Sequence, residues 1–274
     1  FSRLEKIASS FSMDYQPMTK PMKVYIGTDE SQIIAAKVLE HSIHKHATRP
    51  VQVTHMLNLP YPKITNPAVQ PGTNFSFTRF MIPELSRFDG KAMYCDADML
   101  VFGDISTLWD IDFGKQTVLC TRQDYIPEIW KENPAFTPGR QMSVLLLDCA
   151  RLDWHINRII DQLNIGRITY KELMTDICIE PKNNLRDDLP PSWNCLEHYE
   201  SDSTKLLHYT NVPTQPWKFS GNPLSHLWEE AFRDAVRDGA VSIEDVSESV
   251  RKGDVRYELL EMAVASTPES SDSP

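Results

Sequence analysis

The chain has 274 residues, of which 41% are hydrophobic and 24% charged, and its formal net charge at pH 7 is −10. These values are typical of a globular protein with its own core, and the negative charge argues against nucleic-acid binding, since phosphate backbones attract cationic surfaces. No apolar run reaches the length of a transmembrane helix and no signal-peptide pattern opens the chain, which favours a cytoplasmic protein, with peripheral contact at a membrane face as the alternative.

The five cysteines, at positions 95, 120, 149, 178 and 195, form no Cys-x-x-Cys pair. Their number is odd and several lie in apolar runs, so we expect free thiols in a reducing compartment. A zinc site is not expected.

The predicted elements begin after residues 1–21, which are polar and indicate a leader or a short helix. They are, in chain order, a strand at 24–26, a helix at 31–46, a strand at 51–54, a proline-rich loop at 58–74, a helix at 76–85 interrupted near Pro83, and strands at 91–95, 117–120, 143–147 and 205–209. This alternation predicts an α/β fold with a mainly parallel sheet covered by helices. Ligands of such sheets bind at the carboxyl ends of strands.

The C-terminal part of the chain has a different pattern. Apolar residues at helical spacing from Leu224 to Val236 predict an amphipathic helix, and a second helix is predicted over 243–262. We therefore expect a helical extension at 224–264 packed on the core, followed by a disordered tail at 265–274. Attachment of these helices to a partner, another domain or a membrane is the alternative, although their acidic face opposes anionic lipid.

The most informative motif is Asp96-Ala97-Asp98, at the end of the predicted strand 91–95. Two carboxylates one residue apart are costly to bury unless they are paired or bind a cation. Mg²⁺ and Mn²⁺ take oxygen ligands and bind substrate phosphates, so this motif predicts a divalent metal site. A solvated turn is the alternative.

Four segments in order give the motif its context: Met22–Glu30, Phe77–Leu85, Tyr94–Asp104 and Leu206–Lys218. This set resembles glycosyltransferase family 8, the retaining nucleotide-sugar transferases, over residues 22–223. The resemblance implies a GT-A type nucleotide-binding fold in which a mainly parallel mixed sheet is flanked by helices, here with added C-terminal helices.

The resemblance also implies site residues. Asp96, Asp98 and His208 match the ligands of Mn²⁺, with Mg²⁺ as the alternative metal, and Asp96 also lies at the bound donor. The loop Gly27-Thr28-Asp29 matches the position that binds uracil, where Asp29 would accept from the base N3–H. Arg79 matches an arginine near the donor; a surface arginine on a helix is the alternative.

Three departures from the family pattern affect the sugar-binding side. Gln215 stands where a phosphate-binding lysine is expected, with one residue inserted, and Lys218 is our candidate replacement. Gln141-Met142-Ser143 replaces an Asn-x-Gly motif. An Asp-Gln-Asp motif has no clear counterpart: Glu172 aligns loosely and Asp187-Asp188 is another candidate. Gln141 or Asp188 is therefore the predicted polar partner of the reacting sugar.

The sequence as a whole predicts a metal-dependent hexosyltransferase in polysaccharide biosynthesis. It would use a UDP-sugar and the hydroxyl group of a glycan, a lipid-linked saccharide or a protein. Retention of the anomeric configuration follows from the resemblance alone. Two alternatives remain, a non-catalytic sugar-nucleotide or glycan-binding module and a sugar-nucleotide pyrophosphorylase. The pyrophosphorylase normally has a glycine-rich, basic phosphate loop, and residues 27–30 contain one glycine and no cation.

Overall fold

The computed structural model describes residues 20–73, 75–124 and 138–267. Most of the predicted leader (1–19) and most of the predicted tail (268–274) lie outside these ranges. Within them, no helix combines the length and the apolar character needed to cross a membrane.

The central sheet has six strands in the order β2-β1-β3-β6-β5-β7. Three of its five strand pairs are parallel, namely β1 with β2, β1 with β3, and β5 with β7, whereas β6 runs antiparallel to β3 and β5. This is the mixed α/β architecture expected from the sequence. The strands are β1 (Met22–Gly27), β2 (Val51–His55), β3 (Lys91–Asp96), β5 (Val118–Gln123), β6 (Gly139–Asp148) and β7 (Leu185–Leu189).

A second sheet of three short strands has the order β4-β9-β8, formed by Met99–Val101, Leu206–His208 and Cys195–Leu196. β4 and β9 are antiparallel, and their register places Met99 opposite His208. The Tyr209 N–H donates to the Asp98 carbonyl at 2.9 Å. This small sheet therefore places His208, which is distant in sequence, next to the end of β3.

The central sheet is buried on both faces, because successive side chains of a strand point to opposite sides. Tyr94 and Leu145 belong to one core cluster, together with the helix α4, and Met93, Cys95 and Leu146 belong to another, together with α1. The helices before the C-terminal extension are α1 (Ile33–His46), α2 (Ile82–Leu85), α3 (Ile105–Trp109), α4 (Ile156–Asn164) and α5 (Tyr170–Asp176).

The predicted helix at 76–85 is divided, but not at Pro83. A 3-10 helix at Thr78–Met81 precedes α2, and Pro83 lies in the first turn of α2. A proline is tolerated there because the first helical N–H groups have no intrahelical acceptor.

The C-terminal extension contains three helices, α6 (Ser225–Arg237), α7 (Ile243–Lys252) and α8 (Glu258–Ser266). The prediction of one helix over 243–262 was wrong, because α7 ends at Gly253, whose φ of +78° is left-handed. The apolar stripe of α6 packs within the chain: Trp228 and Phe232 share a core cluster with Ile34 of α1.

Candidate active site

The predicted metal ligands come together at the carboxyl end of β3. Asp96, Asp98 and His208 each offer one ligand atom, and these atoms all lie within 4.8 Å of one another. Asp96 ends β3, and the N–H of the buried Ala97 donates to the Gly27 carbonyl at 3.0 Å, which holds the turn against β1. We call these three side chains the ligand cluster.

The electrostatics of the ligand cluster fit a divalent cation. Burial raises the pKa of Asp96, with Arg79 opposing and Asp98 reinforcing that shift. Burial alone would lower the pKa of His208, but Asp98 and Asp96 outweigh it and the net shift is upward. Both shifts report negative charge concentrated in a place with little solvent.

One buried atom of the cluster lacks a conventional partner. His208 Nε2 lies 3.1 Å from Asp98 Oδ1 but outside hydrogen-bonding geometry, and this oxygen accepts no hydrogen bond from the described residues. A buried carboxylate oxygen without a donor is costly. Two carboxylates and an imidazole form the mixed oxygen–nitrogen donor set that suits Mn²⁺, so these residues fit the metal that the family resemblance implies.

Asp96 is held by two neighbours. Arg79, which is 6% exposed, approaches Asp96 Oδ1 with Nη2 at 3.3 Å and donates from Nη1 to the Met142 carbonyl at 2.6 Å. The Tyr94 hydroxyl donates to the same carboxylate oxygen, and the guanidinium lies 4.6 Å from the centre of the Tyr94 ring. The alternative of a surface arginine is thus wrong, because Arg79 is buried.

Sequence reasoning missed Tyr94. The period-2 rule would have found it, since Tyr94 and Asp96 share one face of β3. A Cβ atom at Gly27 would lie 2.2 Å from the Tyr94 hydroxyl oxygen, so only glycine fits beside this ring. Gly27 therefore contributes to the site by leaving room for Tyr94.

The loop Gly27-Thr28-Asp29 leaves one carboxylate oxygen of Asp29 without a hydrogen bond from the described residues. Asp29 Oδ1 caps the following 3-10 turn, accepting from Ser31 N at 3.0 Å and Ser31 Oγ at 2.6 Å. Asp29 lines a cavity of about 450 Å³ together with Asn58 and Lys252, and a smaller one together with the buried Thr28. Both cavities are distinct from the larger one beside Asp96 and His208.

That larger cavity has a volume of about 760 Å³. Asp96, His208 and Arg79 line this cavity, and so does a second group, Arg122, Arg140, Gln141 and Lys171, which we call the cavity wall. Asp187 stands behind the wall and pairs with Arg122 at 3.0 Å and with Arg140 at 3.2 Å. The Gln141 side chain makes no hydrogen bond with the described residues.

The structure separates the two predicted catalytic candidates. Gln141 faces the cavity, whereas Asp188 is not among its lining residues. The Asp188 side chain is 63% exposed and pairs with Arg186 at 2.6 Å, as expected for the opposite face of β7 from Asp187. Only Gln141 is therefore brought to the site.

Gln215 has an unexpected position. It is fully buried, and its Nε2 donates to Asp98 Oδ2 and to the Tyr209 carbonyl, both at 3.0 Å. Lys218 follows Trp217, which is buried with its ring centre 5.4 Å from that of Trp228. The Lys218 ammonium has no ion-pair partner among the described residues, and Lys218 does not line the 760 Å³ cavity.

The fold and the site define a class of protein, a glycosyltransferase of GT-A fold. The sequence model described as Glycosyl transferase family 8 matches residues 7–143. Protein CDI of Arabidopsis thaliana is 34% identical over 227 residues, which cover 77% of this chain and 82% of that protein. The chain belongs to glycosyltransferase family 8, so the predicted resemblance is confirmed. The family implies a nucleotide-sugar donor and a sugar acceptor, and neither the pyrophosphorylase nor the non-catalytic module is supported.

Solved structures share the fold at low sequence identity. The galactosyltransferase LgtC, in complex with donor and acceptor sugar analogs, has a TM-score of 0.52 and 12% identity, covering 78% of this chain and 96% of that one. GlyE of Streptococcus pneumoniae has a TM-score of 0.53 and 17% identity, covering 78% and 61%. The bifunctional WbbM has a TM-score of 0.52 and 16% identity, covering 77% of this chain, which spans about half of WbbM (49%).

Proposed function

We propose that this protein transfers a hexosyl group from a UDP-sugar to a hydroxyl group of a glycan, a lipid-linked saccharide or a protein, with retention, in polysaccharide biosynthesis. Residues 22–223 form the transfer domain in this proposal, and the extension at 224–264 supports it. The observation that carries the proposal is the ligand cluster of Asp96, Asp98 and His208 at the edge of the 760 Å³ cavity.

The ligand cluster would hold Mn²⁺, or Mg²⁺, against the donor diphosphate. When bound, the metal neutralises negative charge that develops on the leaving nucleoside diphosphate. Arg79 and Tyr94 keep the Asp96 carboxylate in place, and Gln215 does the same for Asp98. These ligands are held in position before the donor arrives, which avoids reorganisation during the reaction.

The chain supplies further donor contacts on two sides. Asp29 Oδ2 would accept from the uracil N3–H, since Oδ1 is engaged with Ser31. Lys218 would place its ammonium over the phosphates, because the diphosphate carries more negative charge than one divalent ion neutralises. The buried Trp217 next to it anchors the segment.

Gln141 would face the reacting sugar from the cavity wall. In a retaining transfer without an enzymic nucleophile, the bond from the anomeric carbon to the phosphate oxygen breaks and the bond to the acceptor oxygen forms on the same face. The acceptor proton passes to the departing phosphate oxygen. An amide at this position would orient the sugar and stabilise positive charge at the anomeric carbon through its carbonyl oxygen. The exposed position of Asp188 does not support it in this role.

The state of the cysteines is consistent with a reducing, cytoplasmic compartment, which we include in the proposal. All five are free thiols, and burial raises the pKa of Cys120 to about 12 and that of Cys149 to about 11. Thiols of this kind are poor nucleophiles and resist oxidation.

The proposal is tested by incubating the full chain with a panel of UDP-sugars and Mn²⁺ and measuring free UDP. Release of UDP from one or a few sugars, stopped by EDTA and restored by Mn²⁺, is the expected result. Anomer-specific NMR of the released or transferred sugar then reports retention. If the protein binds UDP but releases none from any of the UDP-sugars, the proposal is contradicted.

A further inference from the structure

Asn194 is a buried amide directly behind His208. It follows the 3-10 helix Pro191–Trp193, is 1% exposed, and has its Oδ1 3.0 Å from His208 Nδ1. Its Nδ2 donates to Thr121 Oγ1 and to Ser143 Oγ, both at 3.0 Å. This one side chain therefore links β5 and β6 of the central sheet to the histidine that the small sheet supplies.

A histidine can ligate a metal only through an unprotonated ring nitrogen, so the other nitrogen carries the proton and needs an acceptor. Nε2 is the nitrogen of His208 that faces the ligand cluster, at 3.1 Å from Asp98 Oδ1. Nδ1 faces the Asn194 carbonyl oxygen. The ring is thus oriented with Nδ1 toward an acceptor and Nε2 toward the proposed metal.

The contact with His208 decides which end of the amide faces the ring, because the Thr121 and Ser143 hydroxyl groups can each donate or accept. Thr121 and Ser143 accept from the amide nitrogen, which leaves Oδ1 directed at the ring. With the amide reversed, an N–H of Asn194 would oppose the Nδ1–H that metal ligation requires. All polar atoms of Asn194 are satisfied, as a buried amide needs.

We propose that Asn194 is a positioning residue of the metal site. Its Oδ1 accepts the Nδ1 proton of His208, which sets the tautomer and the ring orientation and leaves Nε2 available to the divalent cation. Thr121 and Ser143 hold the amide beside the ring through hydrogen bonds to its other end. The inference rests on the proposed metal site, and it assigns a role to a residue that contacts neither donor nor metal.

The first test measures Mn²⁺ affinity of the full chain in the presence of UDP, from the electron paramagnetic resonance signal of free Mn²⁺. Asn194→Leu removes the acceptor at similar volume and is expected to weaken binding about 10- to 100-fold. Asn194→Asp keeps an acceptor at the same place and is expected to stay within about threefold of wild type. Equal losses in both variants would overturn the proposal, because they would indicate a packing role.

The second test asks whether Asn194 acts through His208. In a His208→Ala background, where binding by the two aspartates is still measurable, Asn194→Leu is expected to cause no further loss of Mn²⁺ affinity, since coupled residues are not additive. A further loss as large as in the wild-type background would overturn the proposal. Thermal unfolding of each variant reports whether the fold is kept.

The third test needs no substitution, so it applies even if Asn194→Leu does not fold. Wild-type protein labelled with ¹⁵N-histidine is loaded with Zn²⁺, a diamagnetic probe, and UDP. The His208 spectrum is expected to show a slowly exchanging proton on Nδ1 and a ligated Nε2. Ligation through Nδ1 would overturn the inference while leaving the metal site intact. Wild-type protein that binds neither metal would overturn the metal site and the inference with it.

Discussion

The ligand cluster, through Asp96 and His208, and the cavity wall line the same 760 Å³ cavity, but their side chains are held in different ways. Each ligand is fixed by a buried neighbour: Asp96 by Arg79, Asp98 by Gln215, and His208 by Asn194. The cavity wall instead presents longer, more exposed side chains. Arg122 is 51% exposed, and neither the Gln141 nor the Lys171 side chain makes a hydrogen bond with the described residues.

This difference indicates that the ligand cluster and the cavity wall have different tasks. In the proposed reaction the metal and the diphosphate would be the same whichever sugar is transferred, and rigid, desolvated ligands bind them with little reorganisation. The sugar and the acceptor vary within a family, and solvated side chains on the wall adapt to them at small cost in stability. We therefore expect substitutions in the cluster to act through metal binding and substitutions in the wall to act through turnover and specificity.

The largest effect is expected at Asp98. Asp98→Asn keeps the shape and the contact with Gln215 but removes the charge, and it should lower UDP release about 10³-fold or more, equivalent to several kcal/mol of transition-state stabilisation. The measurement is UDP release across a Mn²⁺ titration, with Asp110→Asn, an exposed carboxylate at the end of α3, as the control. If Asp98→Asn turned over as fast as the wild-type enzyme in EDTA, the assignment of metal binding to the ligand cluster would be contradicted.

The loop Gly27-Thr28-Asp29, which we propose as the uracil site, should discriminate between nucleotides. If Asp29 accepts from N3–H, UDP should compete with the donor about 100-fold better than CDP, because cytosine has an unprotonated N3 that would face the carboxylate oxygen without a hydrogen bond. The inhibition constants of UDP and CDP measure this difference, and the two constants should become similar in Asp29→Ala. Equal inhibition of the wild-type enzyme would remove Asp29 from the base site.

Substitutions of Gln215 and Lys218 should distinguish metal binding from neutralisation of the phosphates. The sequence alone predicts that Lys218→Ala is the more harmful, lowering turnover at least about tenfold, or 1.4 kcal/mol. The contact between Gln215 and Asp98 adds a distinct expectation: Gln215→Ala should raise the Mn²⁺ concentration needed for half-maximal activity, and Lys218→Ala should not. Turnover measured at saturating and limiting Mn²⁺ distinguishes them, and identical Mn²⁺ curves for both variants would contradict this assignment.

Mn²⁺ affinity should depend on pH through His208. The metal binds the neutral imidazole, and the neighbouring carboxylates outweigh burial and raise the pKa of His208 above its usual value. Affinity should therefore fall about tenfold per unit as pH drops below that pKa and level off above it. Binding measured from about pH 6 to 8 should lose most of this dependence in His208→Ala. An unchanged slope in that variant would exclude His208 as the titrating ligand.

The smallest effect is expected at the cavity wall. Gln141→Ala should reduce kcat about fivefold through one lost polar contact, with Mn²⁺ affinity unchanged. Asp188→Asn should have less effect than Gln141→Ala, because its exposed carboxylate pairs with Arg186 away from the cavity. The reverse order would show that β7 contributes to the reaction.

Sequence patterns were sufficient to predict those features of this protein that depend on neighbouring residues in the chain. Alternation of short apolar strands with helices indicated the α/β sheet, and Asp96-Ala97-Asp98 at a strand end indicated two members of the ligand cluster, because paired carboxylates next to a buried strand need compensation. Local signals misled at Gly253, whose left-handed backbone ends α7 although a helical pattern continues on both sides of it.

The tertiary structure alone decided how the ligands are held. The pairing of β4 with β9 brings His208 beside Asp98, and only that arrangement makes Asn194 and Gln215 their hydrogen-bond partners. In the sequence, Gln215 stands out only as a departure from the family's lysine position, and Asn194 is one polar residue among many on a segment without clear periodicity. Whether a buried amide meets a metal ligand depends on strand order and loop path across distant segments. Contacts of that kind leave no mark in local spacing, because the partners are neighbours only in the folded chain.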